Sequence, residues 1–157
     1  MPSKSQLDRA DQSWGWLLFA HAKVLDALEA DLLEQHDLPL IWFDLLNRLR
    51  EAPEQRMRMN DLKNASLFTK SGITRLIDRI EAAGFVTRIR SSQDRRGVYV
   101  AITRAGNDKI NQVWSDHVAS VWKHYGKHLD AGDLNAIETA SRKILANTEV
   151  PTAVPEA

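Results

Sequence analysis

Between Leu7 and His36 one stripe of the chain repeats at three and four residues: Trp14, Leu17, Leu18, His21, Leu25, Leu28 and Leu32. That spacing predicts a long helix buried along one side, with Gly15 as its weak point. Asp37-Leu38-Pro39 breaks the pattern, and Pro39 can open a second helix, Leu40 to about Arg50, with Phe43, Leu46 and Leu49 facing inward. Glu51 to Gln55 reads as a loop. A short helix follows over 59–65, with Asn60 in position to cap it. Ser66-Leu67-Phe68 is a turn, and Thr69 caps a further helix, Lys70 to Ala83, stopped by Gly84. Ile73, Leu76, Ile77 and Ile80 share one face of that helix. Lys70, Ser71, Thr74, Arg75, Asp78 and Arg79 share the other.

The period then changes from helical to alternating. Phe85 to Ile89 and Val98 to Thr103 read as two strands, joined by the polar loop Ser91 to Gly97. Thr103 caps another long helix, to about Leu129, with Ile110, Val113, Trp114, His117, Val121 and Tyr125 in register. Asp130 to Asp133 interrupts, and Leu134 to Ala146 forms a last amphipathic helix. The segment from Thr148 onward, with its two prolines, is expected to be disordered. Two short helices joined by a tight turn and followed at once by a hairpin make a winged helix-turn-helix. The expected fold class is therefore mainly α with a small β-hairpin wing (α+β), the winged helix-turn-helix carrying long helices on both sides.

Charge sharpens this picture. The 157-residue chain has 21 basic and 21 acidic side chains and no net charge. The distribution is uneven: Arg56 to Arg104 holds eleven Lys/Arg against four acids, a local +7 that the rest of the chain offsets. A basic middle is the footprint of a polyanion-binding module. The major groove of DNA admits a helix, and base edges there differ in donor and acceptor pattern, so the helix after the turn is the expected reader. Thr69, Lys70, Ser71, Thr74, Arg75 and Arg79 are its candidate contact residues, with Arg75 long enough for a bidentate bond to guanine. Asp94, Arg95 and Arg96 sit at the hairpin tip, where an arginine fork suits a narrow minor groove.

The run DLKNASLFTKSGITRLIDRIEAAGFVTRIRSSQDRRGVYVAITRAG resembles the winged-helix core of the MarR family of bacterial transcription regulators. The matching features are Thr69 to Arg75, Asp78-Arg79, Gly84, Asp94 to Arg96 and Ile102 to Gly106. Ile102 stands where the family usually has Leu, and Lys63-Asn64 where it often has Ala. The resemblance implies a homodimer joined through its terminal helices, bound to an inverted repeat in double-stranded DNA. It divides the chain into a dimerisation segment at 1–36, a DNA-binding domain at 37–104, further dimerisation helices at 105–147 and a tail at 148–157. It makes Arg96 the wing arginine and Asp94 its holder. It also implies a small aromatic or lipophilic effector that releases DNA from a repressor, with Trp16, His21 and Trp42 as candidate pocket residues.

Other classes fit less well. The chain has no phosphate loop, no Cys, and no paired-carboxylate or Ser/His/Asp arrangement, so an enzyme is not expected. His117, His124 and His128 are spaced to share a helix face, and a zinc-responsive regulator is one alternative. The further ligands are not visible by spacing, so neither metal nor cofactor is assigned. A winged helix that binds protein is another alternative, but it has no need of an arginine on both reader helix and wing. With no apolar run near 18 residues, no signal-like N-terminus and no cysteine, a cytoplasmic location and no membrane partner are expected.

Overall fold

Ser3 starts the first helix with a capping box. Its hydroxyl accepts from the Gln6 backbone N–H, and its own N–H donates to the Gln6 side chain at 2.8 Å. In this computed structural model, which describes residues 1–65, 72–90 and 97–147 (the backbone alone at 63–65), α1 spans Lys4–His36 without a break at Gly15. It ends where Asp37 turns left-handed, at φ 49°, and sends its N–H back to the last carbonyls. Only the second half of α1 is covered: Leu28 and Leu32 are buried, while Trp14, Leu17 and Leu18 stand about half exposed.

α2 (Leu40–Glu51) begins at Leu40 as its spacing predicts, with Pro39 as the flanking cap. Pro39 contributes no side-chain bond, and the Glu29 carboxylate reaches from α1 to accept from the free Leu40 N–H. Phe43, Leu46 and Leu49 are buried as their spacing predicts, joined by Leu40 and Leu45.

The chain then forms a strand that its periodicity does not announce. β1 (Arg56–Arg58) is only three residues, Arg-Met-Arg, too short for alternation to show. It runs straight into α3 (Met59–Ala65), so Asn60 lies inside the helix and does not cap it. α4 (Ile73–Ala82) closes at Gly84, whose φ of +82° suits the residue without a Cβ. β2 (Val86–Arg90) and β3 (Val98–Ile102) form the expected hairpin. β3 lies in the middle of a three-stranded antiparallel sheet, order β1-β3-β2, with Tyr99 opposite both Arg58 and Ile89.

Thr103 is a three-way junction. Its N–H donates to the Phe85 carbonyl (2.9 Å), its hydroxyl donates to the Gly84 carbonyl (2.7 Å), and the same oxygen accepts from Gly106 N–H to cap α5 (Arg104–His124). α5 stops earlier than Leu129. At Tyr125 the backbone leaves helical geometry, and Gly126 tucks under the Trp122 ring at the head of a short 3-10 turn. α6 (Ala131–Ala146) starts three residues before Leu134. Asp130 and Asp133, which look like helix breakers, form its capping box. No residue of α6 is buried within the chain.

Candidate nucleic-acid interface

α4 sorts its side chains as the sequence predicts. Ile73, Ile77 and Ile80 are buried, and Thr74, Arg75, Asp78 and Arg79 face outward. Thr69, Lys70 and Ser71 lie outside the described residues, as do Asp94, Arg95 and Arg96, so the predicted cap at Thr69 and the hairpin tip are not placed. The described helix begins at Ile73, with Gly72 before it contributing no side-chain cap.

The exposed cations of this region are held in different ways. Arg75 makes no ion pair among the described residues. Arg79 lies over the indole of Trp42, 5.7 Å from its centroid, and Trp42 meets Phe85 edge to face at 6.3 Å. A cation on an aromatic face keeps its charge available while its stem is steadied. Arg88 behaves otherwise. Its guanidinium bonds Glu81, Asp78 (2.6 Å) and the Thr74 carbonyl (3.5 Å), and its N–H donates to Glu81 at 2.8 Å. Arg88 is thus neutralised inside the domain by two of the four acids already counted in the local +7.

A further basic feature escapes the sequence reading because β1 does. Arg56 and Arg58 flank the Tyr99 ring, 5.0 and 5.5 Å from its centroid, and Arg58 Nε donates to the Tyr99 hydroxyl at 3.0 Å. The signal that could have found them is the i, i+2 spacing of two arginines just before a helix.

The three candidate pocket residues are not brought together by contacts in the single chain. Trp16 is 71% exposed and His21 is exposed on the uncovered half of α1, whereas Trp42 is half-buried beside α4. A denser aromatic group forms between α2 and α5. Phe43 stacks on Trp114 (6.2 Å) and on His117 (4.1 Å), and Arg50 lies 4.8 Å from the centre of the Trp114 ring. His117 Nδ1 is buried with no hydrogen-bond partner among the described residues, and burial pushes the imidazole below its ordinary pKa.

The histidine spacing does not survive the fold. His128 lies beyond the end of α5, so it does not share a helix face with His117 and His124. His124 Nε2 instead bonds Asp31 on α1 at 2.9 Å, alongside Ser120 (2.7 Å) and Lys123 (3.4 Å). Those bonds, the Ser120 hydroxyl first, hold the Asp31 carboxyl at about 2. Among the described residues no group of three or more His, Cys, Asp or Glu side chains is placed to hold a metal ion.

Residues 36–97 match the model of the MarR family. The transcriptional repressor YetL of Bacillus subtilis is 29% identical over 79 residues, 50% of this chain and 47% of that protein; the chain spans about half the length of the curated relatives it matches. Among solved structures, AbsC, a MarR-family transcriptional regulator from Streptomyces coelicolor, is 29% identical with a TM-score of 0.78, covering 93% of this chain and 95% of that one. A MarR variant from E. coli, solved with operator DNA, is 25% identical with a TM-score of 0.70, covering 83% and 91%. These relatives are regulators, not enzymes. Family match, likeness along most of the chain and the α3–α4 pair beside a three-stranded sheet agree: the chain is similar to the MarR family of winged helix-turn-helix regulators and shares their fold.

Proposed function

We propose that this protein is a sequence-specific, DNA-binding transcriptional regulator that works as a homodimer on an inverted-repeat operator. The observation that carries the reading is α4. Its isoleucine face is sunk in the core, so Thr74, Arg75 and Arg79 are presented outward from a rigid support beside the hairpin. A helix so presented fits the major groove, and Arg75 can reach a guanine edge. The structure of the E. coli relative with operator DNA supports the same use of the fold. The uncovered apolar residues of α1, α5 and α6, among them Trp14, Leu17, Trp122 and Ile144, support a second copy as their cover.

Repression needs only that the bound dimer block polymerase, and the similarity to a repressor favours that sign. Release by a small aromatic or lipophilic effector is part of this reading, with Trp16, His21 and Trp42 as its pocket residues once a second copy covers α1. No helix among the described residues is long and apolar enough to cross a membrane, and a cytoplasmic location suits the role.

The test is duplex binding as a function of salt. Each phosphate neutralised should contribute about −0.9 to the slope of log affinity against log salt. Flat binding between low and physiological salt sinks the DNA reading. Arg75→Ala should cost roughly 1–3 kcal/mol on a selected operator and much less on random duplex. An equal loss on both removes Arg75 from base reading.

A further inference from the structure

We propose that Arg88 is a positioning residue that fixes the reading helix against the hairpin and makes no contact with DNA. The inference rests on the DNA-binding reading above and deepens it. By composition Arg88 is one of the cations of the basic segment, and a phosphate contact is the obvious use for it. The geometry points elsewhere. Its side chain is about one quarter exposed and turned toward α4. One guanidinium nitrogen bonds Glu81, in the last turn of α4, and the other bonds Asp78 at 2.6 Å and the Thr74 carbonyl in the first turn at 3.5 Å. The Arg88 backbone N–H adds a bond to the same Glu81 carboxylate at 2.8 Å.

A single side chain on β2 therefore touches α4 at Thr74, Asp78 and Glu81, a span of two turns. Residues at this four-and-three spacing lie on one flank of the helix, between the buried isoleucines and the outer face that carries Arg75 and Arg79. Pinning that flank at both ends removes roll and tilt of α4 about its isoleucine seam. Roll of about 5° would shift the tip of a long Arg75 side chain, roughly 10 Å from the axis, by about 1 Å, more than bidentate geometry tolerates. The guanidinium suits the task because its rigid fork can serve two carboxylates and a carbonyl together, which a lysine ammonium on a flexible stem does less well. The two acids also cancel the charge, leaving Arg88 little attraction for phosphate. This assigns Asp78 and Glu81, which a DNA-facing helix would otherwise be better without, a reason to be acidic.

The experiment compares the intact wild-type protein with Arg88→Met, Arg88→Lys and Asp78→Asn in titrations of one selected operator duplex across a salt series, with circular dichroism melting as the check on folding. Arg88→Met should weaken operator binding roughly tenfold while leaving the salt slope as in wild type, because no phosphate contact is lost. Asp78→Asn should weaken binding too, although it removes a negative charge from the DNA-facing side. Arg88→Lys keeps the charge and should still bind several-fold more weakly, and it stands in should the Met variant fail to fold. A salt slope shallower by about 0.9 in Arg88→Met, wild-type binding by Arg88→Lys, or tighter binding by Asp78→Asn each overturns the proposal. A wild-type slope near zero is a different result. It removes the DNA reading itself and with it the task assigned to Arg88.

Discussion

Asp31 shows how much one side chain can decide. It lies on α1 and takes bonds from Ser120, Lys123 and His124, all on α5. Because those donors favour its charged form, its carboxyl is held at about 2, below the ordinary 3.8. The unfolded chain therefore takes up this proton first as pH falls. The stabilisation is complete above about pH 4 and is lost as pH drops toward 2. Asp31→Asn should cost on the order of 1–2 kcal/mol near neutral pH. Thermal melts of the two proteins should then converge as pH approaches 2. A gap that stays constant across that range would mean that packing, not the carboxylate charge, ties the two helices. His117 titrates by a different cause. Desolvation lowers its pKa, so acidification below its ordinary 6.5 favours the unfolded chain, which can hold the proton in water.

Elements in this fold depend on close approach at their ends as much as on their own periodicity. The first turn of α5 passes so near the β2 entry that a Cβ on Gly106 would lie 2.3 Å from the Phe85 carbonyl oxygen and 2.7 Å from the Ile102 side chain. Backbone cannot yield as a side-chain tip can, so Gly106→Ala should destabilise by about 2 kcal/mol or more, read as a lowered denaturant midpoint at unchanged slope. Gly15→Ala is the natural control, with nothing within 4 Å of its added methyl group in the single chain. A Gly106→Ala protein as stable as wild type would show that the α5 start shifts freely.

The same locality explains what could be read from the sequence. α2, the hairpin strands, the Gly84 stop and the Thr103 cap were legible, since each follows from a period or a turn residue within a few positions. β1 was not, because three residues carry no period and its stability comes from pairing with β3, more than forty positions away. The true start of α6 was obscured because Asp and Gly mark both breaks and caps, and only the mutual bonds of Asp130 and Asp133 tell which. On α4, the outward Thr74, Arg75 and Arg79 were legible from helical spacing. The diversion of Arg88 was not, since charge counting cannot see which cation faces inward.

At the scale of the whole molecule the apolar surface is unbalanced. The first half of α1 and all of α6 lie outside the core of their own chain, yet carry Trp14, Leu17, Leu18, Ile137 and Ile144 at 37% exposure or more. Self-association is the expected remedy. Truncation before Leu134 should give monomers by light scattering, and the melting temperature of the intact chain should rise with protein concentration. A dimeric truncation product would move the interface away from α6.

The five tryptophans divide along the same line. Trp14, Trp16, Trp114 and Trp122 belong to α1 and α5, and Trp42 alone lies under a cation of α4. A phosphate that drew the Arg79 guanidinium outward would uncover that indole. With the other four replaced by phenylalanine, the emission of Trp42 would become a native optical gauge of the interface, recording engagement in real time without a dye.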